Sequence, residues 1–111
     1  MTPKQAEATA LALPGATLSI QWGDDRVYKV GGKMFAAMGG GKAPSLSLKV
    51  SDVAFEMLTE RDGIIPAPYA ARFKWVQLTT LKAMDDKELR ERLAEAHRLV
   101  VEKLPKKLRP T

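Results

Sequence analysis

The sequence contains no cysteine. That excludes a disulfide scaffold, thiolate metal sites and a Cys–His catalytic dyad, and it suits a cytoplasmic chain. There is a single histidine, His97. It falls in the middle of a helical pattern, beside the apolar stripe, where a packed helix residue is expected rather than a catalytic one. A Ser–His–acid triad would have to recruit Ser19, Ser45, Ser47 or Ser51. None of these stands in the strand–turn–helix context that exposes a nucleophilic serine. No apolar run approaches membrane-spanning length. The opening Met1-Thr-Pro-Lys-Gln-Ala-Glu7 lacks the basic-then-apolar layout of a secretory signal. Internal repeats, low-complexity tracts and a second-domain linker are also missing. Acidic residues are outnumbered, 13 against 18 Lys and Arg, so the formal net charge is +5. A basic domain can associate with a polyanion, but charge speaks to association and not to fold.

With 111 residues, 45% hydrophobic and 28% charged, the chain reads as one folded domain spanning residues 1–111. Thr2-Pro3-Lys4-Gln5 announces a first helix, with Thr as N-cap, Pro at the first helical position and Gln at the third. Ala6, Ala10 and Leu13 share a face, and Pro14-Gly15 ends it. Thr17 to Trp22 alternates, which predicts a half-buried strand with Leu18, Ile20 and Trp22 inward.

The central stretch, Arg26 to Val50, organises the rest. Arg26–Val30, Lys33–Met38 and Ser45–Val50 form three strand-like runs of an antiparallel meander. Gly31-Gly32 suits a two-residue hairpin turn, because glycine tolerates positive φ. That register sets Tyr28 opposite Phe35, with Lys29 and Met34 on the other face. Ser51 or Asp52 caps a short helix running to about Glu60, with Ala54, Phe55 and Leu58 inward. Ile64 to Tyr69 contains two prolines and cannot be a regular central element, so an ordered loop is expected. Phe73 to Leu78 reads as a further strand. Asp85, followed three residues later by Glu88, opens the last helix, whose apolar stripe is Leu89, Leu93, Ala96, Val100 and Leu104. Pro105 ends it before a basic tail of Lys106, Lys107 and Arg109. The fold class is α+β, two layers, with an antiparallel sheet of about five strands and N-terminal, middle and C-terminal helices.

Chemistry-bearing motifs are sparse. Gly39-Gly40-Gly41-Lys42 invites a phosphate-loop reading, but position 36 is Ala where the leading glycine should stand, and Ala43 replaces the magnesium-binding Ser or Thr. The loop also joins two strands instead of opening a helix, so a hairpin loop is expected. Asp24-Asp25 reads as a solvated turn, and Asp85-Asp86 as charges at a helix N-terminus. Trp22 and Trp75 read as core residues. The basic residues remain. Lys29 and Lys49 fall on polar strand faces, Lys33 follows the tight turn, Lys42 sits in the glycine loop, and Arg72 and Lys74 bracket Phe73. Scattered solvated lysines are the bland reading. The functional reading is a common basic surface that contacts phosphates, with Trp75 or Tyr69 as stacking groups.

Several short runs, in order, resemble the MmcQ/YjbR family. They are Trp22-Gly23, Tyr28-Lys29-Val30, Gly32-Lys33-Met34-Phe35-Ala36, Leu48-Lys49, Pro66-Ala67-Pro68-Tyr69, Lys74-Trp75-Val76, Leu99-Val100-Val101 and Lys103 through Arg109. The likeness spans nearly the whole chain. It implies a two-layer α+β fold likened to secretion chaperones and to frataxin-like (CyaY-like) proteins. It also implies a DNA-binding protein with two projections forming a "double wing", which by position would involve Gly39–Pro44 and the Ile64–Lys74 loop. The family often carries Ser-Tyr where this chain has Ala96-His97. The expectation is therefore a monomeric, non-catalytic, bacterial cytoplasmic protein that binds DNA through Lys29, Lys33, Lys42, Lys49, Arg72, Lys74 and Trp75. No cofactor, metal, membrane or small-molecule substrate is implied. The alternative is a chaperone-like module that binds peptide or protein.

Overall fold

Local hydrogen bonds start each helix where the sequence asks for it. The computed structural model describes residues 1–40, 44–68 and 70–110. The Thr2 hydroxyl accepts from the Gln5 backbone N–H at 3.1 Å, while the Gln5 side chain accepts from the Thr2 N–H at 2.9 Å. This reciprocal pair satisfies two otherwise orphaned donors at the start of α1 (Pro3–Leu11). Ser51, not Asp52, caps α2 (Asp52–Leu58) through the Ala54 N–H. Asp85 caps α3 (Asp86–Val101) through the Glu88 N–H at 2.7 Å.

The strands are β1 (Ala16–Gln21), β2 (Asp25–Val30), β3 (Lys33–Met38), β4 (Leu46–Lys49), β5 (Ile64–Pro66) and β6 (Trp75–Leu78). They form one antiparallel sheet in the order β1-β2-β3-β4-β6-β5. The sheet thus has six strands where about five are expected from sequence. The addition is β5, which occupies an edge. Its Pro66 needs no donor on the outer side, so the proline that bars a central strand is tolerated there. Trp75, not Phe73, begins β6, because Ala71–Phe73 forms a 3-10 turn and Lys74 follows in the left-handed region at φ 61°.

Register sorts the side chains into two faces. The row Tyr28–Ala36–Leu48–Val76 and the row Met38–Leu46–Leu78–Ile64 are all buried in one core cluster. The helices cover this face. Leu89, Leu93, Ala96 and Val100 of α3, with Leu104 just beyond, descend into it as the sequence stripe predicts. Each such buried leucine contributes roughly 1.5–3 kcal/mol. The intervening row, Ser19–Val27–Ala37–Ser47–Gln77–Ile65, faces the other way and consists mostly of small and polar side chains.

Two expectations are corrected here. The Gly31-Gly32 turn forms as predicted, with both residues at positive φ, and Lys29 does pair with Met34. Beyond that pair the register shifts, so Tyr28 faces Ala36 and Phe35 is the extra residue of a bulge. Phe35 turns into the helical layer, edge-on to His97 at 5.4 Å. His97 is buried and donates from Nε2 to the Pro14 carbonyl at 2.6 Å, a structural role that ties α3 to the end of the first helical segment. The second correction concerns β1. It is an edge strand, and Leu18, Ile20 and Trp22 are exposed, Trp22 at 69%. Trp22 is not core; it stands in the turn after β1 at φ 49°. No helix among the described residues is long and apolar enough to cross a membrane.

Candidate functional site

Four segments meet at one end of the sheet: the β2–β3 turn, the end of β4, the start of β6 and the C-terminal end of α3. Between them lies an open hollow of about 470 Å³. Its walls are Gly31, Phe73, Trp75, Val100, Leu104, Pro105 and Leu108, and its charged groups are Lys33, Lys49 and Lys103. Among the described residues no carboxylate lines it. Each lysine is placed by a different local rule. Lys33 is the first residue after the glycine turn. Lys49 ends β4 and pairs across the ladder with Trp75. Lys103 lies in the turn just past α3, its backbone N–H donating to the Val100 carbonyl at 3.1 Å.

Lys49 is half-buried, and its ammonium donates to the Phe73 carbonyl at 2.8 Å. Its pKa is held below the ordinary lysine value. Loss of hydration is the main cause and the Lys103 charge the second, with Asp52 opposing them. The hollow is thus a place where positive charge is concentrated without a compensating wall carboxylate. The salt bridges among the described residues occupy Arg26, Arg61, Arg92, Arg98 and the N-terminus, and none engages Lys33, Lys49 or Lys103.

Of the residues expected from sequence, the fold gathers Lys33, Lys49 and Trp75 on the hollow. Trp75 is buried at 8% exposure, so it forms a wall and not an open stacking platform. Arg72 stands next to the site, with its guanidinium 4.7 Å above the ring of Phe73. Lys74 is turned to α2, where its ammonium lies 5.0 Å from the Phe55 ring. Lys29 shares with Val27 the other sheet face, outside the hollow. Lys42 and Tyr69 lie outside the described residues, as does much of the glycine loop expected to form one projection. The other expected projection is partly strand β5, bound to β6. Sequence reasoning overlooked Lys103, Phe73, Leu104 and Leu108 as site residues. The signal for Lys103 was its place just past the last inward turn of the apolar stripe, three residues after Val100; for Leu108 there was none.

A second hollow, about 380 Å³, is lined by Pro3, Ile20, Asp24, Arg26, Met38, Gly39, Gly40 and Pro44. Its arginine is already engaged. Arg26 donates to both oxygens of Glu7, and Tyr28 donates its hydroxyl to Glu7 Oε1 at 2.9 Å. Those donors, the Arg26 bond above all, hold the Glu7 carboxyl below the usual range. Burial, followed by the hydrogen bond to Glu7, pushes the Tyr28 phenol well up. This cluster fastens α1 to β2 and offers no free cation. Among the described residues there is no group of three or more His, Asp or Glu that could hold a metal.

The family model described as YjbR matches residues 11–99. A crystal structure of a Deinococcus radiodurans protein with a DUF419 domain superposes with a TM-score of 0.84 at 25% identity, over 96% of this chain and 84% of that one. A Pseudomonas syringae protein gives 0.75 at 19% identity, over 89% of this chain and 98% of the other. No functionally curated protein matches.

Proposed function

This chain belongs to the YjbR family, and from that premise we propose that it is a non-catalytic DNA-binding protein whose basic end contacts the phosphate backbone. The observation that carries the reading is the convergence of Lys33, Lys49 and Lys103 on one hollow that, among the described residues, no carboxylate lines. Residues far apart in sequence deliver like charges to one place, against their mutual repulsion, and a polyanion relieves it. Arg72, one residue from Phe73, extends the positive surface. Such contacts are tolerant of base sequence, because phosphates carry none of it. A cytoplasmic monomer is part of the same reading.

The test is a duplex titration at two salt concentrations. Each phosphate neutralised contributes a slope of about 0.9 in log affinity per tenfold salt, so three lysines give about 2.7, roughly a 500-fold loss. Lys33 and Lys103 are exposed, so Lys33→Ala with Lys103→Ala keeps the fold and lowers the slope by about 1.8. No binding of either duplex or single-stranded DNA at low salt, or a slope indifferent to both substitutions, refutes the assignment.

One observation favours a second reading, capture of a peptide strand. The edge strand β1 carries no charged residue and shows Leu18, Ile20 and, just after it, Trp22 to solvent. Proteins usually blunt such an edge, and a partner strand can extend it. Peptide binding that persists at high salt and is lost in Ile20→Lys selects this reading.

A further inference from the structure

The lysines explain attraction to phosphate, but they leave the apolar walls of the hollow without a purpose. A duplex would touch only the charged rim. Its bases are stacked and paired, and freeing one costs that stacking and pairing. An unpaired base can enter, and every base has a face able to stack on an aromatic ring. The ring offered here is Phe73, which is 54% exposed. Arg72 covers it from 4.7 Å, so a base on the free face would complete a guanidinium–ring–base stack. Trp75 closes the wall beside it. Lys49 is held by the Phe73 carbonyl at 2.8 Å, which fixes its charge at the backbone of the same residue. At about 470 Å³ the hollow has the size of a small-molecule site, with room for a base and its sugar.

We infer that the hollow is a pocket for an unpaired base, with Lys33, Lys49 and Lys103 holding the phosphates on either side, so that the protein prefers single-stranded nucleic acid to duplex. This rests on the phosphate-binding reading above and narrows it. The charge complementarity favours an anionic strand, and the apolar interior favours one whose bases are free.

The experiment compares three labelled ligands by fluorescence anisotropy at one low salt concentration. They are an oligothymidine of about twelve nucleotides, within the usual range of single-strand site sizes, an abasic strand of equal length, and a duplex of equal length. The oligothymidine is expected to bind about tenfold tighter than either of the others, the order of one base–aromatic stack. Phe73→Ala and Leu108→Ser, both at exposed positions, should each remove most of that advantage, weakening oligothymidine about tenfold more than the abasic strand. In a Trp22→Phe background the remaining tryptophan, Trp75, should change its emission with oligothymidine and not with the abasic strand. Equal affinity for thymidine and abasic strands, or equal weakening of both by the two variants, overturns the base pocket and leaves phosphate binding standing. Failure of all three ligands to bind overturns both.

Discussion

Replacing Gly31 by alanine tests how the hollow is built. Gly31 sits at φ +58°, and a Cβ there would stand 2.6 Å from Leu104 Cδ1, 3.1 Å from Cδ2 and 3.2 Å from the Leu108 carbonyl oxygen. Gly32, its neighbour in the same turn, sits at φ +81°, and a methyl group there would meet nothing within 4 Å. Both substitutions incur the left-handed backbone penalty of about 1–2 kcal/mol. Only Gly31→Ala must also displace Leu104, which is buried at 4% exposure. Overpacking of this kind costs about 1–3 kcal/mol. The low end applies, because the crowded atoms end a flexible side chain next to an open hollow. Gly31→Ala should therefore be less stable than Gly32→Ala by about 1 kcal/mol in urea unfolding, or about 4 °C in Tm for a domain of this size. The displaced leucine would enter the hollow, so Gly31→Ala should also weaken oligothymidine binding while Gly32→Ala does not. Matching unfolding curves for the two variants would refute the contact between turn and helix end on which the site's geometry depends.

Other outcomes follow from the clusters away from the hollow. The folded-state pKa of Glu7 is depressed, chiefly by Arg26. Its contribution is therefore present above the unfolded carboxylate value, near 4.5, and is lost as pH falls below it. Acid titration of stability should show this loss in the wild type and a flatter acid limb in Glu7→Gln. Tyr28 has the opposite sense: its phenol is raised, so stability should decline above about pH 10, where the unfolded chain ionises first, and Tyr28→Phe should remove that decline. His97→Ala deletes the bond to Pro14 and the edge contact with Phe35. Losing that bond and leaving a small void where the buried imidazole sat should cost about 2 kcal/mol with no change in nucleic-acid affinity, measured by denaturation and anisotropy on the same sample. A loss of affinity in this variant beyond its unfolded fraction would contradict the structural role.

The parts of the fold legible in the sequence are those settled over a few residues. The Thr2–Gln5 capping box, the Asp85 cap and the Gly31-Gly32 turn each satisfy backbone groups within one turn of chain, so local chemistry suffices to place them. The stripe from Leu89 to Val100 is a period along one helix and needs no knowledge of what it meets. The bulge at Phe35 has no such signature, because it arises from matching β3 to both β2 and the helical layer at once. Trp22 reads as core by alternation and is exposed because β1 lies at an edge. Edge position is a property of the whole sheet.

The functional region divides in the same way. Residue order alone establishes a cationic, cysteine-free chain, built from an antiparallel meander with capped helices and supplied with lysines at strand ends and turns. Which of those lysines act together is settled only when the chain folds. Lys33, Lys49 and Lys103 converge because β2–β3, β4 and α3 end at the same side of the sheet, while Lys29 and Lys74 are carried elsewhere by strand alternation and by the Phe55 ring. Caps and turns are closed by hydrogen bonds between near neighbours, so they can be read locally. A shared surface depends instead on strand order and helix docking, which are set by burial of apolar area between segments remote in the chain.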